Sequence, residues 1–573
     1  MVDRPATATP SWRFNEVLLV IWSRILTPWR LFWRRTWFYR LLLNGRLAEK
    51  LSFYPYDALP RRLEDADAVM RGRFRFLGHV EEAGDKSIFD RPTAPLQWQE
   101  ALHAFEWLPP LSAAGGDPAR RIATELIGKW VRKFTRYGQP EWSPEVMAKR
   151  LIHLFAHGRM VIINSDLMWR SKLFVSLREQ SRMLARIARE APDGLPRLET
   201  AAAVVLSGIC LENTDHRIES GLAMLEEEVA IQILPDGGHV SRSPEALLNA
   251  YRHIMMVIDA LRTTQREVPP SLRSAYDRMA PMIRFFRHGD GGLGLFNGGH
   301  ECDPKVIAGL LARDEVRGQP LGHARHSGYQ RLAAARSLLL FDCGTSPPRE
   351  FSTHAHAGAL AFEFSTGEQR LIVNCGATSA LNSSWATALR ATAAHSTLTL
   401  SDRSSASIQP KGIVRDLLGA RLCDGPVAIE MRRNEGPHGW TLLASHDGYV
   451  APFGLRHERQ LTLSPRGDTL TGADRLLPDG PPPQGRKRSE LPFAIRFHIH
   501  PEVRVSPSQG GGMILKLPTG EGWRFRTGGQ LSVEESVYLG SEQVRRCEQL
   551  VITGAVKDQP VEVAWVFEQI GAS

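Results

Sequence analysis

Apolar positions along this chain follow two different rhythms. From about residue 97 to 290 they recur every three or four residues, in stretches such as LQWQEALHAFEWLPPLS, PEVMAKRLIHLFAHGRMVI, LETAAAVVLSGICL and PEALLNAYRHIMMVIDALRTT. That spacing gathers the apolar side chains on one face of a helix. Short breaks such as APDGLP and LPDGGHVSRSP separate the stretches, which predicts successive antiparallel helices in an all-α array. After about residue 325 the period becomes two, in RSLLLFDCG, ALAFEFSTGEQRLIVNCG, HSTLTLSD, HERQLTLSPRGDTLTGADRL, FAIRFHIHPEVRV and VEVAWVFEQ. Such side chains alternate between the two faces of a strand, and STGEQ and SPRGD are hairpin connections. Helices followed by strands, without alternation, predict a multi-domain chain, α then β, ending in an antiparallel β-sandwich.

The boundaries follow from the breaks in pattern. Residues 1–50 form a basic, Trp-rich amphipathic segment, 51–320 the helical domain and 321–573 the sandwich. The Gly-rich stretch from HGDGGLGLFNGGHECDP to GQPLGHARHSG joins the last two and contains Asn297, a candidate cleft residue. PDGPPPQGRKRSE, residues 478–490, reads as a solvent loop.

Composition adds little until its distribution is considered. With 573 residues, 43% hydrophobic and 23% charged, the chain is ordinary globular protein with material for two cores. Its six cysteines are scattered without C-x-x-C spacing and read as reduced thiols. The net charge is +9, yet residues 1–50 hold nine Lys or Arg against three Asp or Glu, so two thirds of the excess lies there. In the same segment Trp22, Trp29, Trp33 and Trp37 are interleaved with arginines. That pattern suits a helix lying in a lipid headgroup layer through residues 12–45, or one packed on its own domain. The apolar run between Glu16 and Arg24 is far too short to span a bilayer, and no secretory cleavage site follows it. A cytoplasmic location, or one peripheral to the inner membrane, is the expectation. There is no phosphate-binding glycine fingerprint, and no nucleic-acid partner is expected.

Candidate chemistry gathers near the start of the β half. His354 and His356 lie two apart in THAHAGALAFEF, His395 opens HSTLTL, and Asn374 closes RLIVNCG. Three imidazoles with an oxygen ligand would suit zinc; singly, each histidine would equally bond a loop carbonyl at the sheet edge. The helical half offers ILPDGGHVSRSPEALL, a tight turn whose Asp236, His239 and Arg242 are candidates to line a cleft.

Taken together, QILPDGGHVSRSPEAL, THAHAGALAFEF, LIVNCG and RATAAHSTLTL resemble the heparinase II/III-like polysaccharide lyase family, in order and spacing, over roughly residues 97–570. The resemblance implies an incomplete (α/α) toroid followed by an antiparallel β-sandwich, with an acidic, uronate-containing polysaccharide or oligosaccharide in the cleft between them. It also implies β-elimination: the sugar carboxylate is neutralised, a Tyr or His takes the C5 proton, and a Tyr returns one to the leaving oxygen. On this resemblance His354 is the cleft histidine. His356 is the second histidine of an H-x-H motif and a zinc ligand in metal-binding members. His395 belongs to an R-x-x-H-[NS]-T motif, with Arg390 set two residues further back.

The departures fall where the chemistry should be. The family's proton-transfer tyrosine after the D-G-G loop is Ala246 here. The H-x-H-x-D aspartate is Gly358, and Asn374-Cys375 replaces the metal-binding aspartate. The carboxylate-neutralising Asn-His pair has no counterpart near DGLPRLETAAAV. Tyr251 and His253, one to two helical turns beyond Ala246, are candidate substitutes; His239, His354 and His395 are a candidate acid/base set. Arg242, Arg252 and Arg390 are candidates to hold a carboxylate. Two functions therefore stand. The first is a divergent lyase, or a hydrolase on the same scaffold, acting on an acidic or cell-envelope glycan. The second is a non-catalytic glycan-binding or envelope-associated protein that kept the cleft.

Overall fold

The computed structural model describes residues 22, 28–45, 49–58, 63–84, 87–91, 93–163, 165–212, 214–315, 317–379, 385–437, 439–480, 490–541, 543–557 and 559–571. Most of the 478–490 loop lies outside the described residues.

The helical half is built around Leu195–Cys210, in which every residue from Leu198 onward is buried. An uninterrupted run of small and apolar side chains, TAAAVVLSGIC, has no polar face to give to water, so this helix takes the centre. Pro144–His157 and Pro244–Thr263 flank it, and His216–Gln232, Leu167–Ile187 and Pro270–Phe286 pack outside. Each of the three inner helices carries proline in its first turn, where a missing N–H costs nothing. This is the toroid implied by the family resemblance. Its core runs on into Tyr329, Leu338 and Leu340 of the first long strands, so the two halves share apolar packing.

The β half is two antiparallel sheets of eight and nine strands. Phe362–Thr366 pairs with Gln369–Val373 across STGEQ, and Leu455–Leu463 with Thr469–Pro478 across SPRGD, both with glycine at positive φ in the turn. Leu455–Leu463 alternates strictly between buried and half-buried positions, the period-two signal made structural. Phe362, Phe497, Trp565 and Phe567 fill the space between the sheets. All six cysteines are free thiols.

At the N-terminus, residues 28–35 and Trp37–Leu42 are helical. Arg34 donates to Glu190 of the toroid at 2.9 Å, and Tyr39 and Leu43 are buried against it. The other face looks outward: Trp29 is 74% exposed and Phe32 69%, with Trp33, Trp37 and Phe38 also exposed. Among the described residues no helix is long and apolar enough to cross a membrane.

Candidate functional site

The sandwich presents residues 349–361, a 3-10 turn and loop, to the end of the toroid where the inner helices begin. Phe351 reaches the start of the Leu195 helix, where a Cβ on Gly194 would lie 3.5 Å from its ring. The junction closes in from the side: a Cβ at Gly298 would come within 2.6 Å of the His354 carbonyl oxygen, so only glycine lets the two loops approach this closely. His354 is exposed, yet surrounding protein pushes its pKa down, followed by Arg390, while Glu245 across the gap pulls it up. It lies where the sandwich loop meets the junction and the Pro244 helix, the place of the expected cleft.

His356 and His395 turn away from that cleft and toward each other. His395 Nδ1 lies 2.8 Å from the Ala391 carbonyl, so it carries the proton there, and its Nε2 accepts from His356 Nδ1 at 3.0 Å. Both are buried, which lowers His356 well below the usual imidazole value and His395 to about 4. The pair is a neutral, directly bonded relay.

The expected zinc site does not assemble from these residues. Asn374, the third expected ligand, accepts from Ser396 N at 3.0 Å and donates to Leu295 O at 3.1 Å and Glu363 Oε1 at 3.3 Å. Gly358 offers no carboxylate, and a Cβ there would lie 2.9 Å from His395 Cδ2: the ring occupies the space a longer side chain would need. Among the described residues no three His, Cys, Asp or Glu side chains converge as a metal site. Two imidazoles facing each other and an engaged amide do not make the three or four ligands that zinc takes.

The arginines expected to hold a substrate carboxylate are engaged elsewhere. Arg390 donates through Nε to Ala355 O at 2.8 Å and through Nη2 to Ser352 O at 3.1 Å, fixing the loop that carries His354; burial lowers its pKa to about 10. Arg242, at positive φ, donates to the carbonyls of Ser327 (2.8 Å), Gly344 (3.2 Å), Thr345 (2.9 Å) and Gly328 (3.3 Å). It also pairs with buried Asp342 and lies over the Tyr329 ring at 4.7 Å. Arg242 thus clamps the toroid to the sandwich. Arg252 Nε lies 3.1 Å from the buried Asp57 carboxylate.

Other expected site residues prove structural too. Asp236 accepts from Gly238 N, His326 N, Ser327 N and Ser327 Oγ, at 2.7 to 3.1 Å, which saturates its carboxylate. His239 has both ring nitrogens engaged, by Ser241 Oγ at 2.7 Å and Gln232 Oε1 at 3.0 Å, and burial lowers it to about 4. Asn297 donates to Tyr329 Oη at 2.9 Å and accepts from His356 N at 3.2 Å. Tyr251 is fully buried, stacked on Tyr276 with centroids 4.6 Å apart. It packs helix against helix and does not replace the tyrosine missing at Ala246.

The chain as a whole has counterparts among known proteins. A sequence model of the heparinase II/III-like C-terminal domain matches residues 316–566. FtsZ-localized protein C of Caulobacter vibrioides (strain NA1000 / CB15N) is 32% identical over 551 residues, covering 94% of each chain. The chain belongs to the heparinase II/III-like family. The solved structure of heparinase III superposes with a TM-score of 0.72 at 14% identity, covering 93% of this chain and 89% of that one. Heparan sulfate lyase HepC from Pedobacter heparinus gives 0.57 at 16% identity, covering 89% and 83%. At those identities the likeness concerns the fold alone.

Within this heparinase-like frame, sequence reasoning missed a set of residues in the toroid mouth. Glu245, next to Ala246, accepts from His300 N at 3.1 Å and His300 Nδ1 at 2.9 Å. Burial would raise its carboxyl, but His300 holds it below the usual range. Glu199 lies 3.2 Å from His253 Nε2. Burial opposes its charge, while His253, then Lys149 and Arg252, hold its pKa at about 2. Glu199 sits in the very string, LPRLETAAAV, where no neutralising pair was found. Its signal was a carboxylate, two residues after Arg197, at the start of an apolar run that the helix buries completely.

Proposed function

We propose that this heparinase-like protein keeps the ligand cleft of its fold, no longer performs β-elimination, and works with the division machinery at a membrane surface. One observation carries the loss of chemistry: the groups that elimination needs are absent or already bonded. Ala246 replaces the tyrosine, Tyr251 and His239 are locked in packing, and Arg242 and Arg390 hold backbone carbonyls. Losing a proton-transfer group alone removes a ~10²–10⁴-fold contribution. The link to division rests on the FtsZ-localized relative, matched along nearly its whole length. Membrane contact rests on Trp29, Phe32, Trp33 and Trp37, exposed beside the exposed Arg30 and Arg35, a combination that favours an anionic headgroup layer.

A second reading has one observation in its favour. His354 faces the cleft within electrostatic reach of Glu245, itself bonded to His300, and a carboxylate–imidazole pair beside an exposed histidine can move protons. One experiment separates the two. The protein is incubated with uronate polysaccharides and followed in the ultraviolet for the unsaturated product, with oligosaccharide binding measured in parallel. The proposal expects binding without product; product that vanishes in His354→Ala establishes the lyase instead.

A further inference from the structure

The outer wall of the toroid carries an apolar tip beside a cluster of unpaired donors. The helix Leu167–Ile187 starts at Asp166, whose carboxylate accepts from Trp169 N at 2.8 Å. With the first turn fixed by this cap, Leu167 and Met168 project outward, 74% and 69% exposed, near Ile163 at 57%. Trp169, one residue on, reaches across to the helix Gly116–Lys133. Single apolar residues scattered over a surface need no explanation, but three crowded into one short connection form a patch.

Beside the tip, between the same two helices, lies a cavity of about 410 Å³. A Cβ at Gly128 in its wall would lie 2.9 Å from Trp169 Nε1 and 3.5 Å from Arg132 Nη1, so the missing side chain leaves room for both donors over one backbone position. The groups around them are already satisfied. Glu125 pairs with Lys129 at 2.6 Å and Arg120 with Asp117 at 2.7 Å. Thr124 and Ser165 donate their hydroxyl protons to Arg120 O and Ile162 O. What lines the cavity without a partner among the described residues is Arg121, Arg132 and Trp169 Nε1, all donors. Donors that lack an acceptor around an open cavity suit an anion, and guanidinium groups match phosphate geometry. The basic strip then continues: past the end of the Gly116 helix, Arg136 lines a further cavity with Arg34, Arg35 and Trp37 of the N-terminal segment.

We propose that this cavity binds the phosphate of an anionic phospholipid while Ile163, Leu167 and Met168 enter the bilayer beside it. The inference rests on the membrane contact proposed for the Trp-rich segment and gives it a second site, carried by the toroid itself. A bilayer matches both halves of the feature. Arg121, Arg132 and the Trp169 indole N–H meet the headgroup phosphate, and the three apolar side chains meet acyl chains. The arginine strip that leads on to Trp37 makes the two contacts continuous. Each is small by itself, and two weak anchors on one chain hold a membrane where one does not. Losing either therefore releases the protein.

The test is titration of the full chain with vesicles of phosphatidylcholine, with and without phosphatidylglycerol, read by sedimentation. The wild type should bind the vesicles that contain phosphatidylglycerol. Leu167→Glu with Met168→Glu should weaken that binding at least ~10-fold. Arg121→Ala with Arg132→Ala should weaken it at least ~5-fold and flatten its salt dependence. Both pairs should leave the melting temperature unmoved, because these side chains are exposed and unbonded. Binding within twofold of wild type in both pairs, but lost in Trp29→Glu with Trp33→Glu, overturns this inference and spares the membrane contact. No binding of the wild type to either vesicle overturns both. A third arm separates lipid from a free phosphate ester: calorimetric binding of glycerol phosphate that survives Leu167→Glu with Met168→Glu, without vesicle binding that depends on them, overturns the lipid assignment.

Discussion

Replacing Arg242 with alanine separates a clamp from a substrate-binding arginine. Its guanidinium donates to four carbonyls from two loops of the junction and pairs with Asp342, whose side chain is 5% exposed. Removing one partner of a buried ion pair costs ~3–5 kcal/mol, because the other charge stays behind unpaired. Four carbonyls losing their donor and the Tyr329 face losing its cover add to this, so Arg242→Ala should lie at the upper end of that range. Burial already pushes the Asp342 carboxyl up, with Arg242 opposing it. Without the arginine, the native state holds the Asp342 proton to higher pH than the unfolded chain does. Stability then falls as pH rises through that interval, so the variant's deficit should be smaller at pH 5 than at pH 8. Asp342→Asn in the same background should restore part of the loss, the sign of direct coupling. Urea unfolding at several pH values, followed by fluorescence, measures all of this. A loss below ~1 kcal/mol, or weakened ligand binding at unchanged stability, would refute the clamp.

Further outcomes follow from the same bonds. Burial depresses His239 and His395 to about 4 and His498 to about 3, so the unfolded chain takes up protons that the native chain refuses. Stability from these groups is complete above the ordinary imidazole value of ~6.5 and is lost as pH falls below it, which urea midpoints at pH 7.5 and 5.5 should show. Gly358→Asp should destabilise the protein through contact with His395 and still recruit no zinc, as elemental analysis and thermal melting would reveal; one tightly held zinc per chain would contradict this reading of the site. Tyr251→Phe should leave oligosaccharide binding unchanged, since the ring is stacked in the helix core; a lost binding signal would return Tyr251 to the cleft. Trp29→Glu with Trp33→Glu should abolish sedimentation with anionic vesicles while leaving the melting temperature unmoved, and unchanged sedimentation would remove the membrane contact.

The two rhythms of the sequence made both halves of the fold legible, because a central helix and a sandwich strand each impose a period on their apolar residues. The hairpins at STGEQ and SPRGD were equally legible, since turn chemistry is local. Side-chain roles were less so. Asp236, Arg242 and His239 stand in a motif that reads as cleft, yet their partners, Ser327, Asp342 and Gln232, are fixed by tertiary packing that no spacing reveals. His356 and His395 are 39 residues apart in sequence and bond each other in space, which a motif search reads as two ligands. Glu245 was passed over because attention fell on its neighbour Ala246. Glu106 and Lys149 form no motif at all: a turn and a helix 43 residues apart in sequence bring them together only when the toroid closes.

The central claim, a heparinase-like cleft without elimination chemistry, is met most directly by ultraviolet detection of unsaturated product over a panel of uronate polysaccharides, with oligosaccharide binding recorded on the same preparation. The account predicts no product anywhere in the panel and retained binding of an oligosaccharide. Unsaturated product from any member, abolished by His354→Ala in a folded variant, would contradict it.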